Sequence, residues 1–265
     1  MNMKYIETHA HLDSLTALPL EETIKKANSV GVEKLITIAT DLSNLERVIE
    51  IANNFACVYT TQGLHPHNAK EFSVAVTTKL LEESVNQNRS KVVAIGEIGL
   101  DYHYNFSTPA EQRLAFEAQL ELAIKLKLPV VIHSREADED MMAIIKNAAA
   151  ALPSGRLLGV FHSYSSGREL AECALDLGFY LGFNGMITFK KADNVREVVA
   201  MTPIERIVVE TDAPYLAPIP HRGQENAPHF IPVIAEKLSS LKNTPLSELA
   251  PKLYQNSCTL FHLSF

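Results

Sequence analysis

The chain contains no tryptophan and only three cysteines among its 265 residues. Cys57, Cys173 and Cys258 are far apart and in no metal or redox spacing. That excludes a disulfide framework or a thiolate cluster and points to reduced thiols in an intracellular protein. No apolar run approaches the ~18 residues of a membrane span. The opening MNMKYIETHAH meets polar residues at once, so it lacks the apolar region of a signal peptide. The expectation is a cytoplasmic protein with no membrane partner. An excess of basic charge is also missing: 24 basic against 31 acidic residues give a formal charge of -7. This argues against a broad basic face that coats nucleic acid, but not against an enzyme that grips a few phosphates locally. No Gly-rich nucleotide fingerprint follows any apolar run. With no low-complexity tract, linker or composition break, residues 1–265 read as one domain.

What the chain does have is a regular alternation of short apolar runs with amphipathic stretches, the pattern of a parallel α/β fold. Hydrophobic content of 46% and charged content of 21% suit a substantial core. Candidate strands are Tyr5–Thr8, Leu35–Thr40, Val58–Thr61, the run within Lys91–Asp101, Val130–Ile132, Leu158–Phe161, Phe179–Phe183 and Ile207–Glu210. Helices are expected between them, at about Leu20–Val30, Leu45–Asn53, Thr78–Asn88, Thr108–Leu126, Ala137–Ala151, Gly167–Leu177 and Val195–Ala200, with a helical tail over Pro228–Phe265. Thr108-Pro109-Ala110-Glu111 is a helix opening with a capping hydroxyl, a proline at the first turn and a glutamate three residues after the cap. Eight strand-helix units in a chain of this length predict a closed (β/α)8 TIM barrel, which typically takes about 250 residues. An open doubly wound sheet is the alternative, but only a barrel brings so many strand ends to one mouth.

The strand ends carry the chemistry. The run KVVAIGEIGLD places Glu97 between Gly96 and Gly99 just past a β-branched stretch. His9 and His11 close the first run, His133 the fifth, His162 the sixth and Asp212 the eighth. Each alone has a plain structural explanation: a capped or core histidine, a barrel-mouth ion pair for Glu97, a helix cap for Asp212 before Ala213-Pro214. Barrel closure gathers four histidines and two carboxylates at one face, too many buried polar groups to satisfy without ions or one another. Mixed imidazole and carboxylate ligands suit divalent ions such as Mg, Mn or Zn, and one bridging carboxylate can serve two of them.

The stretches ETHAHLD (Glu7–Asp13), GLHPH (Gly63–His67), GEIGLD (Gly96–Asp101), PVVIHSR (Pro129–Arg135), FHSYS (Phe161–Ser165) and ETDAPYLAP (Glu210–Pro218) span nearly the whole chain in order. In these the chain resembles the TatD family of metal-dependent deoxyribonucleases, a branch of the amidohydrolase-like barrels. The resemblance implies that His9, His11, Glu97 and Asp212 surround one metal ion. Glu97, His133 and His162 would surround a second, with Glu97 as the bridge. It implies further that Asp212 orients or deprotonates the attacking water and that His65 contacts phosphate or leaving group. The implied substrate is DNA, trimmed as single strands from the 3′ end. Arg135 could clamp a phosphate, Glu210 could face the site, and Lys190 could hold nucleic-acid backbone. Two positions depart from the family pattern. Glu7 stands where the family has aspartate, and the loop His221–Pro228 carries Gln224 and Glu225 where basic residues are usual. The rival expectations are a related barrel hydrolase acting on a small ester, amide or phosphotriester, and a non-catalytic metal-stabilised binding protein. A monomer is expected, since a barrel of this size buries its own core.

Overall fold

The computed structural model describes residues 3–265. Its eight parallel strands pair in chain order: β1 (Tyr5–Ala10), β2 (Val32–Thr37), β3 (Val58–Gln62), β4 (Val92–Asp101), β5 (Val130–Arg135), β6 (Gly159–Phe161), β7 (Tyr180–Phe183) and β8 (Ile207–Val209). The ring is completed just above the first and last strands, where Asp212 N donates to His9 O at 2.9 Å and His11 N to Ala213 O at 2.7 Å. The fold is therefore the (β/α)8 barrel rather than the open sheet. Helices α1 (Leu20–Ser29), α2 (Leu45–Asn54), α3 (Val74–Gln87), α4 (Pro109–Leu126), α5 (Asp138–Ala150), α6 (Arg168–Asp176) and α7 (Asp193–Met201) return between strands. No helix among the described residues is long and apolar enough to cross a membrane.

Two apolar layers explain where the site must lie. One joins the outer faces of the strands to the helices, through residues such as Leu35, Val58, Ile98, Ile132 and Phe116. The other fills the barrel with Ile6, Ile36, Ala94, Val131, Val160 and Val208. Because side chains two apart on a strand share a face, the rows that hold Val131, Val160 and Val208 inside continue upward to His133, His162 and Glu210. Apolar packing fills the lower barrel, and the histidines and Glu210 emerge at the carboxyl ends.

The tail splits into α8 (Ile231–Leu241) and α9 (Leu246–Phe261). Cys258, Leu260 and Phe261 of α9 join the barrel's inner cluster. Its Asn256 donates to Ile204 O and Ile207 O, both at 2.7 Å. The expected opening of α4 is present as a full capping box between Thr108 and Glu111. The second strand starts earlier and ends earlier than its apolar run suggests. Residues 38–40 are loop, with Ile38 N bonded to Ala10 O, Ala39 N to Thr61 Oγ1 and Thr40 N to Asn44 Oδ1. Cys258 is buried, Cys57 and Cys173 are half-buried, and all three are free.

Candidate metal centre

The segment after β8 is anchored to β1 by Glu7, a buried carboxylate beneath the mouth. It accepts from His9 N at 3.1 Å, Thr211 N at 2.9 Å and Thr211 Oγ1 at 2.6 Å. Burial pushes the Glu7 carboxyl up to about 8, against the pull of those donors. The longer acid removes neither histidine from the site, where His9 is fully buried and His11 nearly so. Asp212 has a left-handed backbone (φ 60°), a conformation aspartate tolerates better than most residues. Its Oδ1 consequently lies 3.5 Å from His11 Nε2 and 3.7 Å from His9 Nε2. It is not the helix cap that its sequence neighbours also allowed. Burial would raise the Asp212 carboxyl, but His11, His9 and His162 hold it below the usual aspartate range.

Glu97 stands at the centre. Its Oε1 is 2.6 Å from His162 Nε2, 3.1 Å from His133 Nδ1 and 3.5 Å from His65 Nε2, while Oε2 is 3.5 Å from His9 Nε2. Burial opposes its ionisation, yet His162, His65 and the bond to His133 keep it well below the ordinary glutamate range. Gly99 permits this arrangement: its φ is 140°, and a Cβ there would lie 2.0 Å from His133 O.

Asp101, at the end of β4, fixes His133 by taking its Nε2 at 2.9 Å. The same Oδ2 atom takes His67 Nε2 at 3.0 Å. Burial depresses the basicity of His133, but Asp101 and Glu97 outweigh it and raise the ring to about 9. Neither Asp101 nor His67 had been assigned a role from the sequence. The signal for Asp101 was its position four residues after Glu97, on the same strand face. His67 gave no comparable signal, because its partner lies on another strand.

On the opposite wall, Glu210 accepts from Ser163 N and lies 3.8 Å from His162 Nδ1. Gly182 makes room for it, since a Cβ there would sit 2.5 Å from Glu210 Oε2. Burial, then Asp212, Glu7 and Glu97, raise the Glu210 carboxyl well above its ordinary value. The rings of His9 and His162 stack at 3.8 Å. Burial and His162 push His9 down to about 4, and burial lowers His65 as well, so both rings are neutral and present lone pairs.

Three groups of ligand atoms, each mutually within 4.8 Å, could hold a metal ion: His9, His11 and Asp212; His9, His162 and Glu210; His65, Glu97 and His133. His65, expected beside the ligands, lies within 4.8 Å of ligand atoms of Glu97 and His133. Buried His9 Nδ1 and Nε2, His162 Nδ1 and Glu210 Oε2 have no hydrogen-bond partner. Each unpaired buried polar atom costs about 1–3 kcal/mol. Neutral imidazole nitrogens and carboxylate oxygens are the donors a divalent ion takes, so these residues fit such a group.

Arg135, half-buried at the end of β5, lays its guanidinium over the Tyr104 ring at 5.0 Å. Lys190 is exposed after β7, and the structure does not bring it into the cluster. The loop with Gln224 and Glu225 is tied down on the β1 side. Glu225 accepts from Thr16 Oγ1 at 2.6 Å, from Thr16 N at 3.1 Å and from Ala17 N at 2.8 Å.

Comparison with known proteins follows the same residues. The family model of the TatD related DNases matches residues 6–262. The uncharacterized metal-dependent hydrolase YabD of Bacillus subtilis is 34% identical over 97% of this chain and 99% of that protein. The 3′-5′ ssDNA/RNA exonuclease TatD of Salmonella typhimurium is 30% identical over 92% of this chain and 94% of its own length. Among solved structures, the TatD homologue YjjV of Escherichia coli superposes with a TM-score of 0.90 at 32% identity, with both chains covered completely.

Proposed function

The chain belongs to the family of TatD related DNases, and on that premise we propose that it is a divalent-metal-dependent hydrolase that cleaves DNA phosphodiester bonds and shortens single strands from the 3′ end. The observation that carries this is Glu97. One buried carboxylate turns one oxygen to His65, His133 and His162 and the other to His9, the placement required of a bridge between two ions. His9, His11 and Asp212 would hold one ion with Glu97, and His133 and His162 the other. Two divalent ions held there, whether Mg, Mn or Zn, would supply Lewis-acid polarisation of a phosphoryl oxygen and activation of water.

The remaining steps fall to the chain's own side chains. Asp212, beside His9 and His11, would orient the attacking water and take its proton, as the family resemblance implies. Neutral His65 points its Nε2 into the centre beside Glu97 and meets the phosphate or leaving oxygen. Glu210 lies 3.8 Å from His162 Nδ1 and faces the site with an oxygen that has no hydrogen-bond partner, free to take part in the same centre. Arg135 contributes a fork of donors suited to a phosphate. Lys190 adds a more distant, screened attraction for the strand. The same reading makes residues 1–265 one catalytic domain working as a monomer in the cytoplasm. The nuclease assignment is supported by the Salmonella exonuclease, which aligns over 92% of this chain.

The experiment is a time course on a 5′-labelled single-stranded oligodeoxynucleotide, with metal-stripped protein re-supplied separately with Mg, Mn or Zn. Metal-dependent shortening from the 3′ end is expected, and none in Glu97→Ala. Wild-type protein that retains metal and leaves the strand intact would overturn the nuclease reading in favour of a small-substrate hydrolase.

A further inference from the structure

Two bulky rings stand partly in solvent beside this centre. Tyr104 is 41% and Phe106 54% exposed, in the loop between β4 and α4. The loop is held from below. Asp101 Oδ1 accepts from His103 N at 3.1 Å and Tyr104 N at 3.2 Å. Gln112 Nε2 donates to Asp101 O at 2.9 Å and Ser107 O at 3.0 Å, and Ser107 Oγ donates to His67 O at 2.9 Å. Apolar area left exposed on a pinned backbone gains nothing for folding and suits a partner that covers it.

The rings are continuous with the metal centre. Tyr104 and Phe106 lie 5.5 Å apart, centroid to centroid. Each meets His67, at 5.4 and 4.8 Å, and His67 meets His65 at 4.3 Å. Arg135 lies over the Tyr104 ring at 5.0 Å and adds a cation beside it. Arg135 also lines a cleft of about 640 Å³, together with Tyr102, Glu136, Asp138, Glu139 and Asp140. Four carboxylates on that lining, two of them paired with His103 and Arg113, make it a poorer path for a polyanionic strand than the rings.

We propose that Tyr104 and Phe106 form a stacking platform for the unpaired bases of a single strand whose scissile phosphate lies at the metal centre. The inference rests on the nuclease reading of that centre and adds to it the part of the substrate that is recognised. Stacking uses the π face that every base presents, so the platform is indifferent to sequence. A paired base inside a duplex keeps its faces covered by its neighbours and offers nothing to it. The platform therefore selects single strands without reading them.

The test compares two strands of equal length in the metal-loaded full chain: an oligodeoxynucleotide, and one whose 3′-terminal residues are abasic tetrahydrofuran units. The ratio of kcat/KM between them is read in wild type, in Tyr104→Ala/Phe106→Ala and in the ring-preserving Phe106→Tyr. Wild type is expected to favour the base-bearing strand by roughly 5- to 150-fold per stacked base. The double variant closes the gap through KM, and Phe106→Tyr keeps it. A ratio near one in wild type, or an unchanged ratio in the double variant, overturns the platform while leaving the nuclease intact. A wild-type protein that cuts neither strand overturns the nuclease reading, and the platform with it.

Discussion

Asp101 Oδ2 holds His133 Nε2 at 2.9 Å, so it is the Nδ1 atom of His133 that faces Glu97. A histidine ring offers two nitrogens, and the one that meets the centre is decided by what holds the other. Asp101→Asn keeps the volume but removes the negative charge. It is expected to weaken binding of divalent metal by about 10- to 100-fold, as losses of such supporting carboxylates do. Competition against a chromogenic chelator measures this, and an unchanged affinity would show that His133 is oriented by packing alone.

Glu97 is the residue on which both halves of the centre depend, since its two oxygens face different histidines. Glu97→Gln is therefore expected to lower the metal bound per chain and to abolish turnover together. Elemental analysis of purified protein beside an activity time course separates the outcomes. Full metal content with lost activity would move Glu97 from metal holding to proton transfer.

The strand ends were legible because one rule, the two-residue alternation of a strand, was enough to send His133, His162 and Glu97 to the mouth. Pairs that depend on two distant segments were not. Asp101 could be placed on the face of Glu97, but its hold on His133 requires the β4–β5 register, in which Gly99 pairs with His133. Glu225 looked like charge removed from a substrate loop, whereas it bonds to Thr16 and Ala17 on the other side of the closure between β8 and β1. The second strand lies three residues earlier than its apolar run, since Val32 and Lys34 pair with Tyr5 and Ile6 while Ile38 and Ala39 are buried loop beyond it. How α9 adds its side chains to the barrel's inner cluster depends on tertiary packing that helical periodicity leaves open.

Removing metal should cost stability. His9, His162 and Glu210 contribute buried atoms without hydrogen-bond partners. A ligand that binds only the folded chain stabilises it by about 4 kcal/mol at a thousand times its Kd. For a chain of this size that corresponds to a Tm shift on the order of ten degrees. Thermal unfolding with excess chelator and then with added Mn or Zn is expected to show the loss and its recovery. Identical melting curves would mean the cluster is satisfied by the protein alone.

The Glu225 strap predicts a pH-dependent contribution of known sign. Burial pushes its carboxyl up, but Thr16 and Ala17 donate to the ionised form and together hold it below the ordinary value of 4.5. A carboxyl lowered in the folded state contributes stability that is complete above its unfolded pKa and disappears as pH falls through the folded one. Glu225→Gln retains the shape of the side chain and loses the charge. The stability gap between wild type and this variant, at most about 1 kcal/mol for a partly exposed group, is expected at pH 7. It should narrow below pH 4.5 and close under more acid conditions. Denaturant unfolding of both proteins across that range measures it, and a gap that stays constant with pH would mean the strap works through shape and not through the ionised carboxylate.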